Sequence, residues 1–335
     1  MRKNDVDIVI MWVDGSDPAW IREKLGYQMN SAVSDELVAD SAKCFRDMGT
    51  LKYWFRSIEK FAPWVRKIHF VTWGHLPEWL DTSCKKLHIV NHKDFMPEGS
   101  LPTYNSRALE VNLHRIPGLA ENFVYFNDDN FLMRPSKKSD FFKRGLPRDC
   151  AILSPVVPQR FGTGAIQIND LEIVNDHFHG TQCIKKNWKK WYTPKYGKYL
   201  LRTLILKKNA NIVGLYEPHG PNSMKKSTYE EVWSKEEAAL MGTTMSRFKK
   251  KDNVNQWLMR DWQIASGAFS PRSPKFGKFY DLSYSLDAAC WDILSQKHSL
   301  ICLNDSSDIE DFEQVKKRLV DCFEKILPKK SQFEI

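Results

Sequence analysis

Four consecutive polar residues, Asn127-Asp128-Asp129-Asn130, interrupt an apolar run that reads Phe123-Val124-Tyr125-Phe126 before them and Phe131-Leu132 after. Two adjacent carboxylates between two amides form a cluster of hard oxygen donors, which suits Mg²⁺ or Mn²⁺ held against a diphosphate. The aromatic and β-branched residues in front favour a short buried strand, so the acids stand at its carboxyl end. In an open α/β sheet that end is where ligands bind. Asn and Asp are also turn formers, and a strand-ending turn accounts for the same residues without a ligand. The motif alone leaves both readings open.

A second strand and turn of the same kind opens the chain. Asp7-Ile8-Val9-Ile10-Met11-Trp12-Val13 is nearly all apolar, as in parallel strands buried on both faces, and it breaks at Asp14-Gly15-Ser16-Asp17-Pro18, a turn that could receive a nucleotide. A phosphatase nucleophile of the haloacid-dehalogenase kind would need another Asp two residues before Asp14, where Trp12 stands. Further strands are predicted at 67–74 and 87–90, with a helix over 50–61 between the first strand and these. Strands alternating with helices predict an α/β fold with a mostly parallel sheet and flanking helices.

The chain divides in expectation into an α/β region, 1–134, and a mainly helical, basic region, 135–335, the two forming one catalytic unit. Pro135 to Pro158 reads as the connection. Ser307-Asp308-Ile309-Glu310 reads as a capping box for a last helix, with Phe312, Val315, Leu319, Cys322, Phe323 and Ile326 on one docking face.

With 335 residues the chain can bury a full core. It has no 18-residue apolar run, and its first apolar stretch is too short and too acidic at its flanks for a signal peptide, so a cytoplasmic protein is expected. Seven cysteines, odd in number and without a C-x-x-C pair, argue against a disulfide framework and a thiolate zinc site.

The net charge of +9 is uneven. From Cys183 to Lys208 stand nine basic residues (Lys185, Lys186, Lys189, Lys190, Lys195, Lys198, Arg202, Lys207, Lys208), no acid, and five aromatics (Trp188, Trp191, Tyr192, Tyr196, Tyr199). Such a stretch attracts a polyanionic glycan, an anionic membrane face or nucleic acid, or else it is a solvated face whose lysine stems cover apolar surface. No RNP, KH or zinc-finger signature supports nucleic acid.

Taken in order, these segments resemble the stealth family, which holds bacterial capsular polysaccharide phosphotransferases and the catalytic core of the animal UDP-GlcNAc:lysosomal-enzyme N-acetylglucosamine-1-phosphotransferase. The likeness covers most of the chain. Its first region resembles Asp7 to Pro18. The second and most specific runs from Arg46-Asp47 through Leu51-Lys-Tyr-Trp-Phe-Arg56-Ser-Ile-Glu59, Val71-Thr72-Trp73-Gly74, Leu101-Pro-Thr103-Tyr104-Asn105-Ser106, Glu110 and His114-Arg115 to Asn127-Asp128-Asp129. A looser third region resembles Ile168-Asn169-Asp170 and Pro218-His219-Gly220-Pro221, and the fourth Ser246-Arg247-Phe248 through Asn255-Gln256.

The resemblance implies an α/β core related to nucleotide-sugar glycosyltransferases. It also implies an enzyme that moves a sugar-1-phosphate from a UDP-sugar to a glycan hydroxyl, releasing UMP, in capsular or cell-surface polysaccharide synthesis. Asp128 and Asp129 then hold the metal, or one serves as base. His219 is the better candidate base, because imidazole titrates near working pH. Arg247 is a phosphate clamp with Lys249 and Lys250 close by. Asp7, Asp14 with Gly15, and Asp17 contact ribose, uracil or metal, while Asn105, Arg107, Glu110, Asn127 and Asn169 fall in or beside the matched segments as substrate contacts. An ordinary i,i+3 ion pair with Arg107 is the plainer account of Glu110. The basic stretch becomes a track for a growing anionic glycan, held by charge and ring stacking, or a peripheral contact with membrane or assembly machinery. A metal-dependent glycosyltransferase releasing UDP is the nearest rival, and a non-catalytic polyanion binder the more distant one.

Overall fold

Residues with two buried faces make the strands of this protein. The computed structural model describes residues 5–29, 46–158, 163–305 and 309–335. Strands β1 (Val6–Met11), β2 (Ile68–Thr72), β3 (Leu87–Asn91) and β4 (Asn122–Phe126) run parallel, β1 lying between β2 and β4. Alternate residues point into two cores. Val9, Val71, Val90, Phe123 and Tyr125 face one, and Ile8, Ile10, Phe70, Val124 and Phe126 face the other. The fold is thus α/β with a mostly parallel sheet covered on both faces, as the near-continuous apolar runs imply.

The chain after β4 departs from a simple connection. β5 (Asn130–Leu132) follows the acid pair directly, and the expected linker instead carries a short helix, Lys138–Phe141, with β6 (Phe142–Lys143) and β7 (Leu146–Asp149). β8 (Asn222–Lys225) then returns to the main sheet, antiparallel to β4, giving the order β3-β2-β1-β4-β8. Residues from both expected regions therefore share one sheet. β9 (Ser270–Pro271) pairs with β7, while β10 (Lys278–Asp281) and β11 (Leu300–Asn304) form a small sheet with β5.

The last helix, Phe312–Ile326, buries Val315, Leu319, Cys322 and Phe323, and Phe323 stacks on Tyr53 of the Leu51–Phe61 helix at 5.6 Å between centroids. Its cap is Asp311, which accepts from the Gln314 amide at 2.9 Å. This corrects the expected capping box, of which Ser307 and Asp308 lie outside the described residues. Arg56 ties the tail down by donating to Glu334 (2.9 and 2.7 Å) and to the Leu327 carbonyl (2.8 Å).

Asp7 belongs to the fold. Fully buried near the amino end of β1, it accepts from Arg66 Nε (2.8 Å), Arg66 Nη2, His69 Nε2 (2.9 Å) and the Ala120 amide (2.8 Å). Burial alone would raise its pKa, but the His69 and Arg66 bonds overcome this and hold it below the usual carboxylate range. The reading of Asp7 as a substrate contact is corrected accordingly: its acceptor sites are filled, at the end of the strands away from the ligand side. Asp7→Asn should cost roughly 3–5 kcal/mol in chemical denaturation, the usual effect of breaking a buried ion pair, and leave donor affinity unchanged. An unaltered unfolding midpoint with weakened donor binding would return Asp7 to the site.

Candidate active site

The strand order locates the site. From β1 the chain builds outward through β2 to β3, and β4 is then laid on the other side of β1. Connections leave β1 and β4 toward opposite sides, and in open α/β sheets ligands bind beyond the carboxyl ends of such strands. The residues delivered there are Trp12-Val13-Asp14-Gly15 after β1 and Asn127-Asp128-Asp129 after β4.

On the β1 side, the Asp14 amide donates to His75 Nε2 at 2.6 Å, and Asp14 Oδ1 accepts from the Ser16 amide and hydroxyl. Asp17 Oδ1 takes the Ala19 and Trp20 amides, both at 2.8 Å, so it caps the Pro18–Met29 helix. Trp12 and Trp73 pack on the His75 ring at 5.4 and 5.5 Å. Burial holds His75 below the usual imidazole value despite Asp14 and Asp17, which keeps its Nε2 an acceptor. Sequence reasoning missed His75, although the matched Trp73-Gly74 pair directly precedes it.

On the β4 side the acid motif forms the strand-ending turn. The Asn130 amide closes a turn onto the Asn127 carbonyl at 3.2 Å, with Asn127 and Asp128 exposed. Asp129 is engaged: its oxygens accept from Asn130 Nδ2 (2.5 Å) and Cys302 Sγ (3.3 Å), and its carbonyl takes the Leu303 amide (2.8 Å). Desolvation by the crowded surroundings, then the Asp129 charge, push the Asp128 carboxyl up to about 7. Desolvation raises Asp129 to about 6 against the Cys302 and Asn130 bonds. Asp128 is exposed and Asp129 half-buried. Among the described residues no group of three or more His, Cys, Asp or Glu side chains could hold a metal ion. A cation here would rest on the pair alone and take its other ligands from phosphate and water. That donor set fits Mg²⁺ or Mn²⁺, which commonly bind through one or two carboxylates plus phosphates.

His219 is linked to the acid motif indirectly, through β10 and β11. It sits at φ +48°, its amide donates to Glu217 Oε1 at 3.1 Å, and its ring lies 4.9 Å from that of Phe279. Phe279 of β10 is in register with Cys302 of β11, whose thiol meets Asp129. Desolvation lowers the His219 pKa, so the imidazole is neutral and able to accept a proton near pH 7.

The group that fixes this loop was invisible in sequence. Arg260 donates to both Asp149 oxygens (2.8 Å each) and to the Tyr216 carbonyl (2.9 Å), and its Nη1 lies 3.1 Å from Glu217 and 3.2 Å from Asp261. Three acids share one guanidinium, and desolvation raises Glu217 and Asp261 to about 7 against the pull of Arg260. A small recess lies against Glu217, Trp257, Arg260 and Asp261, and another is lined by Pro218, Gly220, Arg272 and Leu300. The 217–221 turn therefore contributes to the walls of two recesses.

Three expected substrate contacts prove to be clamps on the 246–253 segment. Asn105 Nδ2 donates to the Ser246 carbonyl (3.0 Å) and Asn253 Oδ1 (2.8 Å), while its Oδ1 caps the Ser106–Glu110 helix. Arg107 donates to the Lys250 carbonyl (2.8 Å), and Asn169 to those of Lys251 (2.7 Å) and Asn253 (2.9 Å). The reading of buried Asn105 as a substrate contact is corrected, since both ends of its amide are spent on closing this loop, and the Asn169 amide nitrogen is spent there too. Arg247 lies 4.1 Å over the Tyr27 ring and donates to the Pro102 carbonyl at 2.9 Å, on the side of the Pro18–Met29 helix. Glu110 accepts from the Tyr125 hydroxyl at 3.3 Å; desolvation raises its pKa, opposed by the Lys249 and Arg107 charges.

Models of Stealth protein conserved regions 1, 2 and 4 match residues 4–32, 44–149 and 292–335. Region 4 is therefore the β11 and C-terminal helix segment, which corrects its expected place at 246–256. The chain is 40% identical over 335 residues to the capsular polysaccharide phosphotransferase WcwK of Streptococcus pneumoniae, covering 99% of this chain and 100% of that protein. It is 41% identical to the receptor polysaccharide phosphotransferase WefC of Streptococcus oralis over the same shares. Among solved structures, the galactosyltransferase LgtC with donor and acceptor sugar analogues aligns at a TM-score of 0.39 and 10% identity, covering 94% of this chain and 95% of that one.

The raised acid pair carries a pH signature that needs no turnover. An unfolded Asp titrates near 4, so between about pH 4 and 7 the folded metal-free protein binds more protons than the unfolded chain. Stability from this pair is therefore lost as pH rises through that window. Asp128→Asn should melt above wild type at pH 8 and level with it at pH 4 in scanning fluorimetry. Adding Mg²⁺ at pH 8 should raise wild type and not the variant. A variant melting at or below wild type at pH 8 would refute the strained pair.

Proposed function

The chain belongs to the Stealth protein family, and on that premise we propose that it is a phosphotransferase of capsular or cell-surface polysaccharide synthesis. In this reading it moves a sugar-1-phosphate, such as hexose- or N-acetylhexosamine-1-phosphate, from a UDP-sugar to a glycan hydroxyl and releases UMP. The observation that supports it is the position of Asp128 and Asp129 just past β4, at the strand-order reversal.

Each group then has a task. The Asp14-Gly15 turn, with Trp12, Trp73 and His75 beside it, is the place for the nucleoside. Asp128 and Asp129 would hold Mg²⁺ or Mn²⁺, which when bound neutralises charge on the diphosphate. A neutral His219 ring nitrogen takes the acceptor hydroxyl's proton as that oxygen bonds to the distal phosphorus. The bond from that phosphorus to the bridging oxygen breaks, and the electron pair leaves with UMP. Glu217 and Arg260 keep the His219 loop in position. Lys249 and Arg247, carried by the clamped 246–253 segment, are the cations offered to phosphate oxygens.

His219→Ala should lower turnover on the order of 10²–10⁴-fold while donor binding survives, measured by steady-state kinetics and donor titration. Loss of donor binding with turnover intact would reverse the assignment.

The released nucleotide separates the two transfer reactions. Phosphorus NMR of a reaction with UDP-sugar and oligosaccharide acceptor should show UMP and a new phosphodiester. Release of UDP without a phosphodiester would make the protein a glycosyltransferase on the same scaffold.

A further inference from the structure

The basic stretch presents a different surface from the one its sequence implies. Of its five aromatic rings, Trp191 and Tyr196 are buried in the core, and Tyr192 and Tyr199 are half-buried, with Tyr199 packed on Tyr216 at 5.1 Å. Only Trp188 stands out, 54% exposed. A row of rings for stacking sugars is therefore absent.

What faces outward instead is aliphatic. On the Leu200–Leu206 helix, Thr203 points inward and its hydroxyl accepts the Leu153 amide, while Leu201, Leu204 and Ile205 are 63%, 45% and 77% exposed. Their spacing of three and four puts them on one helix face. Exposed cations surround this stripe in sequence: Lys185, Lys186, Lys189, Lys198, Arg202, Lys207 and Lys208. Lys190 is held at the Gly267 carbonyl (2.5 Å) and Lys195 at Pro271 (3.1 Å), so these two serve the fold.

We infer that this face docks on an anionic lipid bilayer, the leucine and isoleucine side chains entering the headgroup boundary and the lysines meeting lipid phosphates. The pairing of exposed aliphatics with one-sign charge favours this partner. Lysines alone would suit any polyanion, but a hydrated glycan offers nothing to Leu201, Leu204 and Ile205, whereas a bilayer takes up both. No helix among the described residues is long and apolar enough to cross a membrane, so the attachment is peripheral. Charge attraction falls off within about 8 Å at physiological salt, and Lys198, Arg202, Lys207 and Lys208 lie on or next to the helix that carries the stripe. The inference is independent of the transfer chemistry.

The test is co-sedimentation of the whole protein with vesicles of phosphatidylcholine containing phosphatidylglycerol, against phosphatidylcholine alone. Wild type should bind the anionic vesicles, less so as salt rises. The triple change Leu201→Ser, Leu204→Ser and Ile205→Ser should weaken binding about tenfold or more, and neutralising Lys185, Lys186, Lys189 and Lys198 should do the same while flattening the salt dependence. The single change Ile205→Glu, at the most exposed of the three positions, should also weaken binding and guards against a folding defect in the triple variant. Failure of wild type to bind anionic vesicles, or undiminished binding by the aliphatic variants, overturns the inference. Loss of dextran sulfate binding in the lysine variant, with no vesicle binding by wild type, would make the stretch an anionic-glycan track instead.

Discussion

Parallel strands cannot be joined by tight turns, so every connection in the main sheet must cross a face, and the direction of crossing decides where a cavity opens. Here β1 is central, β2 and β3 are added on one side and β4 on the other. The place of the site, beyond the carboxyl ends of β1 and β4, follows from that order. Asp14 and its turn, His75 and the acid pair all occupy loops released at this end.

The two ends of the same strands treat carboxylates in opposite ways, and the contrast separates scaffold from site. Asp7 is fully buried yet comfortable, with a guanidinium, an imidazole and an amide on its oxygens. Asp128 is desolvated by its crowded surroundings, with a second acid beside it and the Asp47 charge nearby, and its pKa moves up instead of down. A fold gains from the first arrangement and is weakened by the second unless something cationic binds. Residues strained in this way are functional candidates, whereas fully paired ones are ordinary structure.

Much of this was legible in sequence where the cause was local. The apolar runs ending at Val13 and Phe126, and the turn formers after them, are patterns within a few residues, and they placed both loops of the site. What escaped was long-range. Cys302 meets Asp129 across 173 residues, and Arg260 meets Asp149 across 111. No periodicity marks such pairs, because each partner alone looks like any buried thiol, acid or arginine. Two misreadings share one origin. Asn105 and Asn169 are polar and stand in family-like motifs, yet a polar side chain serves equally to close a loop's backbone hydrogen bonds. The aromatics of 183–208 alternate with lysines, yet alternation along a helical stretch does not reveal which side faces the core.

The matched conserved regions also make physical sense as one body. Region 1 supplies β1, which pairs with β4 of region 2, and region 4 supplies β11, which pairs with β5 just past the acid motif. β11 holds the site from two directions: its Cys302 thiol and Leu303 amide fix the Asp129 turn, and its pairing with β10 sets Phe279 under the His219 ring. The C-terminal helix that follows β11 is anchored to the Leu51–Phe61 helix through Tyr53, which donates to Glu324 at 2.7 Å, while Arg56 holds Glu334 beyond it. A disturbance of that anchor, far from the site, would thus be transmitted through β11 to the acid pair and the base together, because one strand positions both.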